Sequence, residues 1–147
     1  MDIPKYDTSF KAWMPYTAIT NSSSEQYKLQ QKAITDEQGF RRIDDDYLVA
    51  MTTYYSEKCG VRFLITLENE VEFTVMVADI KNPDQTDKLN MFHPVCDKQG
   101  NILFANVLEF IIDKEVMNED VLSLGTISSL GFEGQITKIE RIDTILK

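Results

Sequence analysis

Three runs of β-branched, aromatic and aliphatic residues between positions 47 and 78 constrain the fold more than any other feature of the chain. Residues 47–55 read Tyr-Leu-Val-Ala-Met-Thr-Thr-Tyr-Tyr, almost without a polar break, as a strand covered on both faces does. Residues 61–67 and 71–78 are a second and third run, separated by Glu68, Asn69 and Glu70. That connection has hairpin length but lacks the glycine common in the tightest turns, and it predicts a pair of antiparallel strands. The third run carries Phe73 to Ala78 and ends on Asp79, so a strand delivers a carboxyl group to the edge of an apolar core.

Around these runs the pattern changes. Residues 1–22 mix Tyr6, Phe10, Trp13 and Tyr16 with Pro4 and Pro15, which suits an extended arm or first strand. Asn21 and Ser22 to Ser24 then supply capping groups for a short helix over residues 25–33, built from good helix formers. Residues 81–100 hold two prolines, several Asp and Asn, and a turn signal at Lys98-Gln99-Gly100-Asn101, so a long loop is expected there. Residues 106–113 read as a strand, and residues 116–124 as a helix stopped by Gly125. Residues 134–145 alternate as a closing strand with one wet face.

The expected result is a mainly β single domain over residues 1–147, with an N-terminal arm and short helix (1–45) followed by a barrel core (46–147). Five or six strands with one or two short helices suit a small closed barrel better than a layered α/β fold. A chain of 147 residues, 43% hydrophobic and 27% charged, buries a core without disulfide staples.

Charge and cysteine content exclude several functions. A net charge of −9 repels nucleic-acid phosphates and anionic membranes, and the one tight basic pair, Arg41-Arg42, is followed by Asp44, Asp45 and Asp46. Those three acids lack the spacing of an EF-hand and read as a solvated turn. Cys59 and Cys96 form no CxxC pattern, which points to two free thiols and no structural zinc. No apolar run approaches a membrane span, and the opening Met-Asp-Ile-Pro is not a signal peptide. Location stays open at this point: the chain acts where it is made, in the cytoplasm, or reaches a cell envelope or virion by another route, or is a domain of a longer chain.

Several short motifs fall in a recognisable order: Leu48-Val49-Ala50-Met51, then Gly60-Val61-Arg62-Phe63, then Val77-Ala78-Asp79-Ile80-Lys81, then Val107-Leu108-Glu109-Phe110-Ile111. This stretch, from Asp46 to Asp113, resembles the 3D domain and the wider RlpA-like and expansin-like double-psi β-barrels of cell-wall-active proteins. Met51 stands at the family's first acid position, Asp79 at the next, and Glu109 replaces the family's last aspartate. The resemblance implies a six-stranded double-psi β-barrel and a lytic-transglycosylase-like reaction on peptidoglycan, with no metal or cofactor. Its partners would be peptidoglycan or another polysaccharide.

The resemblance implies Asp79 as general acid/base and Glu109 as its electrostatic partner. Burial at the strand end raises an aspartate pKa, as a proton donor to a glycosidic oxygen requires. The plainer reading makes Asp79 a turn cap and turns Glu109 outward to water. Lys81, two residues from Asp79, can tune that acid or hold a substrate hydroxyl, or it is a solvated loop charge. Tyr54 offers a flat face for a sugar ring, as do Trp13, Tyr16 and Tyr55, although aromatics in a small barrel more often form core. His93, the one histidine, lies on the long loop, where it is either a further substrate contact or a plain surface residue. The alternative to an enzyme is a non-catalytic carbohydrate-binding or assembly module of a phage, mobile element or cell-surface machine.

Overall fold

The structure, a computed structural model, describes residues 1–124, 127 and 130–142. It is mainly β. Its strands are β1 (Trp13–Pro15), β2 (Ile34–Thr35), β3 (Arg41–Ile43), β4 (Asp46–Met51), β5 (Arg62–Leu67), β6 (Glu72–Ile80), β7 (His93–Cys96), β8 (Ile102–Asn106), β9 (Leu108–Ile112) and β10 (Ile136–Ile142). Among the described residues two short α-helices accompany them, α1 (Glu25–Lys32) and α2 (Glu119–Leu124).

The main sheet runs in the order β1-β9-β4-β6-β5-β10, with β3 also paired to β4 and β2 to β3. Among the described residues this hydrogen-bonded path is open from β1 to β10, so the expected closed six-stranded barrel is corrected to an eight-stranded open sheet. The first 45 residues contribute three of its strands. β1 lies parallel to β9, Trp13 opposite Phe110, and β4 lies parallel to β6.

Local chemistry accounts for the elements that match expectation. Ser24 caps α1, its Oγ accepting from the Tyr27 amide at 3.1 Å. β5 and β6 form the expected antiparallel hairpin. Glu70 takes φ 67°, the left-handed position that glycine fills in such turns. The run at 47–55 stops pairing after Met51, because Thr52 folds the chain back through Tyr55 and Ser56 amides that donate to its carbonyl.

Other elements differ. Residues 81–100 contain β7, which pairs with β8 in a separate two-stranded sheet around the Lys98-Gln99-Gly100 turn. Pro94 and the acidic surroundings hide β7 in the sequence. The strand expected at 106–113 begins at Leu108, since the chain leaves β8 at Asn106 and changes sheets across Val107. α2 starts at Glu119 rather than 116 because the Asn118 side chain accepts from the Asp120 amide and sets the first turn. Its expected stop, Gly125, and residues 143–145 of the expected closing strand lie outside the described residues. Asp46 is not part of a solvated turn: it is 3% exposed and holds Arg62 through two hydrogen bonds of 2.6 and 2.9 Å.

The sheet separates two apolar clusters. One face carries Val49, Met51, Phe63, Ile65, Val75, Val77 and Phe110 into the main core, where Phe10, Phe40, Tyr47, Phe73, Phe110 and Phe132 form a continuous group of tilted and edge-to-face rings. The other face buries Leu48, Ala78 and Ile111 beneath Met14, Tyr16 and Leu29. No helix among the described residues is long and apolar enough to cross a membrane.

Candidate functional site

Ala50, near the end of β4, has two register partners: Asp79 on β6 and Glu109 on β9. Partners in a ladder project to the same face of a sheet, so both acids stand on the face of Leu48 and Ile111, with only the Ala50 methyl between them. Their backbones are two strand spacings apart, roughly 10 Å.

Simple alternation does not produce this arrangement. Phe73, Val75 and Val77 point into the main core, and a period of two would send Asp79 there as well. The ladder shifts at this point: Val49 faces Val77 but Ala50 faces Asp79, leaving Ala78 as an extra residue. This β-bulge turns Asp79 to the opposite face, alongside Glu109. Bulges are rare in parallel pairs and common beside active sites.

The bulge also sets Lys81. Its amide donates to the Met51 carbonyl at 2.8 Å, and Nζ crosses the sheet to Glu109 Oε1 at 2.5 Å. The Lys81 side chain is 7% exposed and that of Glu109 17%, so the pair is largely withdrawn from water. Of the two readings of Lys81, the solvated loop charge is the one this geometry removes. Glu109, likewise, does not stand alone on a wet outer pleat.

Asp79 is half-buried. Burial raises its pKa above the ordinary aspartate value of 3.8, and the negative charge of Glu109 adds to the rise. The Ile80 amide, which donates to Oδ1 at 3.0 Å, opposes it, as do the Gln26 side chain of α1 and the Lys81 charge. Cys59 lies within electrostatic reach. Burial, then the charges of Asp79 and Glu25, push its thiol up to about 11, so it is no thiolate nucleophile near neutral pH.

Two sequence candidates lie elsewhere. The Tyr54 hydroxyl donates to Asp2 Oδ2 at 3.3 Å, its amide to the Asn90 carbonyl, and its ring meets Tyr55 edge-on at 5.0 Å. His93 pairs with Asn106 in the two-stranded sheet. Neither set of partners includes Asp79, Lys81 or Glu109. Trp13 donates to the Val121 carbonyl, and Tyr55 is core, donating its hydroxyl to the Asp2 carbonyl at 2.8 Å. The sequence reading missed Gln26, whose one signal was its place in the first turn of a capped helix. Among the described residues, no group of three or more His, Cys, Asp or Glu side chains is placed to hold a metal ion.

The cluster is thus a carboxyl group whose pKa burial raises, beside a carboxylate held by an ammonium group. Such a set can donate and recover a proton and stabilise a developing positive charge. No protein-family model, no curated protein and no solved structure matches the chain.

Proposed function

We propose that the chain acts on peptidoglycan glycan in the manner of a lytic transglycosylase, with Asp79 as the catalytic acid/base. The observation that carries this reading is the bulge at Ala78, which aligns Asp79 with the Lys81–Glu109 pair across Ala50. In this scheme protonated Asp79 gives its proton to the glycosidic oxygen as the C1–O bond breaks. Positive charge develops at C1, and Glu109 stabilises it electrostatically. The C6 hydroxyl then closes on C1, and the Asp79 carboxylate takes its proton, which returns the acid to its starting state. One group serves in both steps, so the fixed second carboxylate of a hydrolase is not required.

The test is to incubate purified protein and an Asp79→Asn variant with isolated murein sacculi and to look for 1,6-anhydro products by mass spectrometry. Wild type releases soluble anhydromuropeptides, and Asp79→Asn loses about 100-fold or more in rate. If wild type releases none, the enzyme reading is dropped.

One observation favours a second reading, a non-catalytic glycan-binding module. The Gln26 side chain hydrogen-bonds Asp79 and favours its charged form, as an acid engaged in binding or support would require. Sedimentation of both proteins with sacculi separates the two. Binding without release, lost in Asp79→Asn, supports recognition alone.

A further inference from the structure

Arg41 is 9% exposed, and its guanidinium has no carboxylate partner among the described residues. Its hydrogen bonds go to neutral acceptors: Nε to Gln30 Oε1 at 3.0 Å, Nη1 to Thr35 Oγ1 at 3.0 Å, and Nη2 to the Gln30 carbonyl at 2.8 Å. Three of its five N–H donors are therefore used. One acid is linked to it indirectly, since Thr35 Oγ1 donates in turn to Asp113 Oδ2 at 3.0 Å. A buried charge ordinarily requires a counter-ion, and a protein of net charge −9 has no shortage of acids to supply one.

A second, independent feature lies beside it. Gln30 is 4% exposed, and its amide Nε2 is buried without a hydrogen-bond partner. Gln30 and Arg41 both line a cavity of about 370 Å³, together with Tyr16, Ile19, Thr20 and Tyr27. The guanidinium carbon lies over the Tyr16 ring, 4.2 Å from its centroid, and the two N–H donors that Gln30 and Thr35 do not use are left for a ligand.

We propose that this cavity is a binding site for a small monoanionic carboxylate, seated on Arg41 and accepting from Gln30 Nε2. One cation balances one negative charge, whereas a phosphate dianion would leave excess negative charge in an acidic protein. The planar guanidinium suits the two oxygens of a carboxylate. Tyr16, Tyr27 and Ile19 take the apolar body of the ligand. The site does not depend on the glycan reading of Asp79. It is joined to that site through α1, where Gln26 reaches Asp79 and Gln30, one turn later on the same face, reaches Arg41.

The test is an NMR titration of the intact protein, following the Arg41 Nε–H and Gln30 side-chain amide signals. The probes are N-acetylalanine, glucuronate and N-acetylmuramic acid, with N-acetylalaninamide and inorganic phosphate as controls. At least one carboxylate shifts both signals saturably, and the best-fitting of the three tells an amino-acid carboxylate from a sugar acid. The uncharged amide binds at least about tenfold more weakly than N-acetylalanine where the latter binds. Thr17→Trp, an exposed substitution at the rim, abolishes the shifts while the fold persists. Absence of a saturable shift with every carboxylate overturns the proposal. So do equal affinity for acid and amide, tighter binding of phosphate, or an unchanged response in Thr17→Trp.

Discussion

A carboxyl group whose pKa burial raises makes the folded state sensitive to pH in a defined direction. Asp79 has a folded pKa above the unfolded value of 3.8. Below that value it is protonated in both states, and its favourable contribution to stability is fully present. As pH rises through 3.8 and then through the folded pKa, the unfolded chain ionises first and that contribution is lost. Asp79→Asn keeps the shape and removes the titration. Thermal melts across pH therefore show the variant gaining on wild type as pH rises above 3.8, with no gain below it. A constant difference between the two would mean that Asp79 does not titrate abnormally. In the sequence, Asp79 is visible as the end of an apolar run, and its candidacy was legible there. The roles of Lys81 and Glu109 as mutual partners were not, because 28 residues separate them and only the register of β4, β6 and β9 brings them together.

Turn and helix boundaries follow from side chains a few residues apart, so they are largely legible, and so are their weak points. The β5–β6 turn places Glu70 at φ 67°, where a side chain costs roughly 1–2 kcal/mol and glycine avoids that cost at some loss of chain entropy. Glu70→Gly is expected to raise the unfolding free energy by about 0.5–1 kcal/mol in urea titrations. A decrease would show that the Glu70 side chain holds the hairpin together. By contrast, β7 and β8 were hard to see because Pro94 stands inside β7 and the hairpin is of mixed composition. The residues that close it, Asp97 and Asn101, look like ordinary loop residues until Asp97 is seen to accept from the amides of Gln99 and Asn101.

The molecule as a whole is organised around rings drawn from distant parts of the chain. Phe110 lies 5.3 Å from Phe10, 5.2 Å from Phe40 and 4.8 Å from Phe132 between ring centroids. It is fully buried, and β9 places it between β1 and β4. Phe110→Ala is expected to cost about 3–5 kcal/mol, read as a lower urea midpoint with a single transition. A loss below about 1 kcal/mol would mean that the cluster repacks readily.

Hydrophobic patterning and capping residues determined the mainly β class, α1, the β5–β6 hairpin and the strand that ends at Asp79, because these depend on neighbours close in sequence. The open strand order, the parallel pairing of β1 with β9 and of β4 with β6, and the seating of Arg41 on the neutral acceptors of Gln30 and Thr35 were decided by the tertiary structure alone. The direction of Asp79 belongs with them. A period of two aims it at the core, and a single unpaired residue, Ala78, turns it to the face of Glu109 and Lys81. A bulge arises from the fit between two strands, which the residues of either strand alone do not encode.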